Sequence, residues 1–245
     1  MRPHESIAGR YENDDGKRRF VRDLFNRAAP YYDRIGRFGF LGTGQFHRRR
    51  ELRQAGLQPG MDMLDVACGT GAVMRAAVEI LGGRGRVCGV DPSEGMLAEA
   101  RKIAGAEFHV GHAEALPFPD QSFDFLSMGY ALRHVGDLQR AFAEYRRVLR
   151  PDGRLLILEI SRPRPWLGLV GARLYFRDLL PGLSWLLTGS GDARLLMSYY
   201  WETIDACVPP NAILAAIAGA DFQQVERHVE LGIFSAYTGR TRERA

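Results

Sequence analysis

Between Met61 and Ile160 short apolar runs alternate with amphipathic stretches, and this alternation restricts the fold more than any other feature. "MDMLDVA", "GRVCGVD", "AEFHVG", "SFDFLSMG" and "RLLILEI" read as five strands. "AVMRAAVEIL", "EGMLAEARKIAG" and a stretch opening at Asp137 read as the helices between them, the last with Leu138, Ala141, Phe142, Tyr145, Val148 and Leu149 at helical spacing. Asp137 is placed to cap that helix, and "RPDG" to turn it into the fifth strand. Most of these strands lack polar alternation, which predicts a parallel sheet covered by helices on both faces. The expected class is α/β, with one domain over residues 20–245 and a polar, disordered arm over 1–19.

In such sheets ligands sit beyond the carboxyl ends of the strands, where the strand order reverses. "LDVACGTGAV" (64–73) occupies one of those ends. Gly69 and Gly71 let the backbone approach a ligand, and the following helix offers free N–H groups. A dinucleotide fingerprint needs a third glycine at position 74, where Met74 stands. Asp91 ends the second strand, twenty positions beyond Gly71, and is placed to accept from both ribose hydroxyls. Asp65 adds a carboxylate that disfavours phosphate and suits an ammonium or sulfonium. A nucleoside carrying positive charge fits these residues, and S-adenosylmethionine is the natural candidate.

Composition narrows the alternatives. A net charge of +4 and a pI near 9.1 point only weakly to anionic partners. There is no basic stripe interleaved with aromatics and no Asn/Asp-Pro-Pro-Tyr/Phe tetrapeptide, so nucleic acid is not an expected partner. Cys68, Cys88 and Cys207 are too scattered for a metal site or a disulfide framework, which suits a reducing, cytoplasmic compartment. The longest greasy stretch, 165–189, is broken by Arg173, Arg177, Asp178 and Pro181. It is not expected to cross a membrane, and a contact along a membrane surface is left open.

Longer motifs carry a family likeness. "FNRAAPYYD" (25–33), "VDPSEGML", "HAEALPFPDQSFDF" (112–125), "ALRHVGD" (131–137), "VLRPDGRLLILEISRP" (148–163) and "SYYWETID" (198–205) join the glycine turn. Together the chain resembles the class I S-adenosylmethionine-dependent methyltransferases, and among them the UbiE/COQ5/MenG quinone C-methyltransferases. The resemblance implies a Rossmann-like, mostly parallel seven-stranded sheet whose last strand, "LGIFSAYTG", runs antiparallel beside "FQQVERHV". It implies that Asp65, Gly69, Thr70 and Gly71 line the methionine end of the cofactor and Asp91 the ribose. His112 and Ala113 would flank the adenine, and Gly129 would lie near the fourth strand's mouth. The implied acceptor is a prenylated quinol, with a peripheral contact at the inner face of a membrane; a homodimer is left open. Four positions depart from the family pattern: Ile35 for Met, Gly36 for Asn, His112 for Asn and His134 for Asn.

On the acceptor side, Arg133 and His134 follow the fourth strand. Arg133 is expected to stabilise a developing phenolate, and His134 to remove or relay its proton. The bland alternative pairs Arg133 with a structural carboxylate and leaves His134 capping the loop. Tyr32 and Asp33 are candidates to order a lid over the cofactor, with core packing the alternative for Tyr32; either could take the base role if His134 does not. "HRRR" from His47 reads as a solvated helix face. An apolar insertion at about 163–205, rich in Trp and Leu, is either packing on the sheet edge or a channel for a prenyl tail, with Arg162, Arg164, Arg173 and Arg177 near anionic lipid. Two other activities remain open: methylation of a polyketide or other small aromatic metabolite, and a non-catalytic cofactor-binding role in a biosynthetic complex.

Overall fold

The computed structural model describes residues 1–5, 7, 9–39, 42–163 and 165–243. Among these residues, seven strands form one sheet in the order β3-β2-β1-β4-β5-β7-β6. They are β1 (Met63–Val66), β2 (Val87–Asp91), β3 (Glu107–Val110), β4 (Phe123–Gly129), β5 (Leu149–Ile160), β6 (Gln223–Glu230) and β7 (Phe234–Arg240). The first five pair in parallel, and β7 runs antiparallel to both β5 and β6. The central strands are apolar because both faces are covered: every residue of β1 and β2 is buried. β1 lies between β2 and β4, so the order reverses there and a crevice opens at the carboxyl ends of these three strands.

The crossovers follow the sequence closely. α3 (Ala72–Leu81) starts behind Gly71, and α4 (Glu94–Ala100) is capped by Ser93, whose hydroxyl accepts from Met96 N at 3.2 Å. α5 (Leu138–Val148) starts at Asp137, which accepts from the backbone N–H groups of Gln139 and Arg140. The fifth strand differs from expectation. "RPDG" does not separate helix from strand but forms a bulge inside β5, with Asp152 at φ +57° and the β4 register shifting between Phe123 and Phe125.

A second layer covers the carboxyl edge. α1 (Asp14–Gly39) and α2 (Gly44–Gln54) precede the sheet. α6 (Trp166–Arg173), a π-helical turn over 174–179, α7 (Leu180–Thr188), α8 (Gly191–Ala206) and α9 (Pro210–Gly219) lie between β5 and β6. Leu24 and Ala28 of α1 pack with Phe176, Leu180, Leu196 and Tyr199 into a core separate from the two that flank the sheet. The opening segment is not the disordered arm expected over 1–19. Met1 N lies 2.8 Å from Asp137 Oδ1, Pro3 O accepts from Val208 N at 2.7 Å, and residues 14–19 belong to α1. Lys17 is buried and donates to Val135 O at 3.1 Å, so this polar segment finds its partners in the loop after β4. Ser6 and Ala8 of the expected arm, and Arg164 of the apolar insertion, lie outside the described residues.

Candidate active site

The floor of the crevice is built by β1, β2 and the turns that follow them. Asp91 spans both turns: Oδ2 accepts from Gly69 N at 2.9 Å and Oδ1 from Ser93 N at 2.8 Å. Burial pushes its carboxyl up to about 6, against the pull of those two N–H groups. Asp65 is completely buried; Oδ1 accepts from Ser127 Oγ at 2.5 Å, while Oδ2 has no hydrogen-bond partner. Its carboxyl is pushed up to about 7, again by burial.

The two glycines of the turn have different jobs. Gly69 sits at φ +56° and faces open space on the crevice side. Gly71 sits at φ +80°, and a Cβ there would come within 2.3 Å of Ile103 Cδ1. Gly71 therefore does not line the crevice as expected; its missing side chain makes room for Ile103.

α1 forms the roof and is fastened at two points. Asn26 Oδ1 accepts from Ser93 Oγ at 2.6 Å and from Gly95 N at 2.9 Å, and a Cβ on Gly95 would meet Asn26 O at 2.8 Å. Further along, Asp33 accepts from the Thr70 hydroxyl and from Arg75 at 2.8 Å, while Arg75 also donates to Thr70 O at 2.9 Å. Between these clasps Phe25 and Tyr32 face the crevice. Burial holds the Tyr32 phenol well above its ordinary range, so at neutral pH it can donate a hydrogen bond but is no base.

His112 and Ala113 line one flank and Gly129 the mouth of β4. Glu114 ties that flank to the loop after β4 by accepting from Gly136 N at 2.6 Å. The crevice is open to solvent on one side.

Arg133 and His134, adjacent in sequence, point into different environments. Arg133 does not reach the crevice. Its guanidinium is 0 % exposed, paired with Glu159, donating to Thr203 Oγ1 at 3.1 Å and to Tyr130 O at 2.9 Å, and lying 4.0 Å from the Tyr200 ring centroid. Burial disfavours this charge, but Glu159 opposite keeps it ionised, and the phenolate-stabilising role expected of it is replaced by a structural one.

His134 does line the crevice. Its ring stacks on Tyr199 (5.5 Å, 23°) and meets the edge of Phe25 at 5.3 Å. Neither ring nitrogen has a hydrogen-bond partner. Burial first, then the charges of Arg133, Lys17 and His4, hold it well below the ordinary histidine range.

Sequence reasoning missed several crevice residues. Arg18, Arg22, Arg48 and Tyr130 all face it. Arg48 was hidden within a run of arginines, and Tyr130 follows β4 with no pattern to mark it apart from its φ of +61° in the structure.

Donors and acceptors in the crevice suit a cationic nucleoside. A completely buried carboxylate oxygen without a donor is costly, and the ammonium of S-adenosylmethionine would satisfy Asp65 Oδ2. Comparison with known proteins agrees. Residues 12–240 match the model of the ubiE/COQ5 methyltransferase family. The chain belongs to that family. It is an S-adenosylmethionine-dependent methyltransferase.

Among its ubiE/COQ5 relatives, the demethylmenaquinone methyltransferase of Symbiobacterium thermophilum is 31% identical over 92% of this chain and 94% of that protein. The ubiquinone/menaquinone biosynthesis C-methyltransferase UbiE of Shewanella frigidimarina is 32% identical over 86% of each. A solved S-adenosylmethionine-dependent methyltransferase of Thermotoga maritima, described as a possible histamine N-methyltransferase, shares the fold with a TM-score of 0.62 at 21% identity, covering 91% of this chain and 100% of that one.

Proposed function

We propose that this ubiE/COQ5 family member methylates a ring carbon of a prenylated quinol. The relatives' names supply the acceptor class. The observation that carries the chemistry is His134, a neutral imidazole with two unpartnered ring nitrogens held between Tyr199 and Phe25 at the crevice wall. A dihydroxylated ring becomes a carbon nucleophile when a phenolic proton is removed, and a neutral histidine can accept it. Tyr32, kept protonated, would donate to the acceptor's oxygen. Phe25 and Tyr130 offer flat faces to the ring, and Val21 an aliphatic contact.

S-adenosylmethionine, when bound, supplies an electrophilic methyl group. Asp91 would hold the ribose hydroxyls, His112 and Ala113 the adenine, Gly69 and Thr70 the methionine end. Holding both reactants at attack distance can contribute about 7–11 kcal/mol. A positioned base adds roughly 10²–10⁴-fold, about 3–6 kcal/mol. Placement is the larger effect.

A greasy acceptor has to be collected from a lipid phase, and α6 is suited to that. None of its residues is buried, and Trp166, Leu167 and Val170 are 72%, 67% and 54% exposed. Leu174, Trp185 and Leu186 extend the patch at 63%, 52% and 74%, with Arg173 and Arg177 on its border. No helix among the described residues is long and apolar enough to cross a membrane. The reading is therefore a surface contact with anionic lipid. These side chains face outward, which favours neither packing on the sheet edge nor the lining of a channel for them.

Mass spectrometry of quinones in a strain lacking the gene tests the reading. Accumulation of a demethylated precursor supports it. An unchanged quinone pool with a missing small aromatic product would transfer the activity to another acceptor.

A further inference from the structure

β3 is an edge strand, and its pairing with β2 assembles side chains that are scattered in the sequence. Cys88 lies opposite Glu107 and Val90 opposite His109, so Cys88, Glu107 and His109 project from one face of the pair. Cys88 Sγ donates to Glu107 Oε2 at 3.5 Å, and His109 Nε2 lies 3.9 Å from the same oxygen. The sulfur, the carboxylate oxygen and the ring nitrogen all fall within 4.8 Å of one another. The three cysteines are too far apart to share an ion with each other, but the strand register gives Cys88 two partners of another kind.

Thiolate, imidazole and carboxylate are the donors that hold zinc. Zinc bonds of about 2.0–2.3 Å at tetrahedral angles place ligand atoms about 3.3–3.8 Å apart. The two separations measured to Glu107 Oε2, 3.5 and 3.9 Å, are close to that spacing. His109 Nε2 is shielded from solvent and makes no hydrogen bond, although the residue as a whole is only half-buried. Its ring is set edge to face against Phe118 (5.0 Å, 81°). A metal ion would give that nitrogen its partner. Glu107 is exposed, so an ion can enter from the sheet edge. His47, Glu51 and Glu230 form a similar group, but there Arg50 pairs with both carboxylates and already supplies the positive charge.

We propose that Cys88, Glu107 and His109 bind a divalent ion of the zinc type, which pins the edge strand β3 to β2 and takes its fourth ligand from solvent. Binding exchanges the thiol's proton for a sulfur–metal bond; the proton passes to solvent and no electron is transferred. Burial pushes the Cys88 thiol up to about 12, so this exchange opposes binding and the bonds to all three ligands have to offset it. The site stands three residues before Asp91 on one strand and three before His112 beyond the other, so the ion would tie together the two strands that lead to the crevice. The inference rests on the strand register and is independent of which donor and acceptor the crevice holds.

Titration of the metal-stripped, full-length enzyme with Co²⁺, followed by optical absorption, tests the proposal. A thiolate ligand gives a sulfur-to-cobalt charge-transfer band, and a tetrahedral site gives intense d–d bands. Both are expected at one ion per chain, with Zn²⁺ displacing the cobalt and raising the melting temperature. Cys88→Ala should lose the charge-transfer band and the Zn²⁺ effect, whereas Cys207→Ser should keep both. Glu107→Gln and His109→Phe, at the sheet edge, should melt like the metal-free wild type and bind Co²⁺ at least about tenfold more weakly. These two variants decide the question if Cys88→Ala does not fold. Absence of the charge-transfer band from the wild type overturns the proposal. So does a band that survives in Cys88→Ala, or binding that is lost in His47→Gln and kept in His109→Phe.

Discussion

Arg133 and Glu159 form an ion pair with side chains 0 % and 2 % exposed, and neither residue lines the crevice. Glu159 also accepts from Arg133 N at 3.4 Å, so one carboxylate ties β5 to the loop that presents His134. Removing one partner leaves a buried charge alone, which costs about 3–5 kcal/mol. Glu159→Gln should therefore lower stability by that order in denaturant titration. The double change Arg133→Met with Glu159→Leu should recover much of it. Folded Glu159→Gln should bind S-adenosylhomocysteine like the wild type. An Arg133→Met enzyme of unaltered stability that has lost only turnover would return Arg133 to the chemistry.

His134 yields a pH signature. Its folded pKa lies below the ordinary histidine value, so the neutral base persists into acid and the acidic limb of kcat should fall below about 6.5. His134→Asn should lower kcat by something approaching 10²-fold and remove that limb. Stability follows the same group. Between the folded pKa and about 6.5 the unfolded chain binds a proton that the folded one does not, so stability rises with pH across that window. A fully active His134→Asn enzyme with its limb in place would make His134 a packing residue.

Asp65 has the opposite sign. Burial raises its carboxyl to about 7, so the folded protein without cofactor binds a proton that the unfolded chain releases above about 4. Ligand-free Asp65→Asn should melt higher than the wild type at pH 8, and the difference should close toward pH 4. The same variant should bind S-adenosylhomocysteine more weakly. A variant less stable than the wild type at pH 8 would show that Asp65 is held by a partner rather than waiting for one.

How much of this was legible in the chain depended on the range of the interactions. The parallel sheet was readable because a strand buried on both faces must be apolar along its length, as Leu64, Val66, Val90 and Leu126 are. The fate of Arg133 was not, since it turns on Glu159, 26 positions away and part of an apolar strand. Gly69 and Gly71 look alike in sequence and differ only through Ile103. Arg48 and its two neighbours are chemically identical and are sorted by Glu79, Glu51 and Glu230. In the same way, the greasy 163–205 segment divides into an exposed α6 and a buried α8 only because α1 covers the second.

The exposed face of α6 predicts a membrane dependence. Trp166→Ser with Leu167→Ser should abolish sedimentation with vesicles containing anionic lipid and leave the melting temperature unchanged, because neither side chain is buried. High salt should weaken the wild-type interaction by screening Arg173 and Arg177. Wild-type protein that ignores such vesicles at low salt would contradict the assignment.

The most direct measurement supplies the purified enzyme with a demethylated prenylated quinol and S-adenosylmethionine carrying a ¹³C methyl group, then locates the label by NMR. The account predicts a methyl group on a ring carbon, formed at a much lower rate by His134→Asn. Label on a phenolic oxygen, or no transfer to the quinol by an enzyme that binds S-adenosylhomocysteine normally, would contradict it.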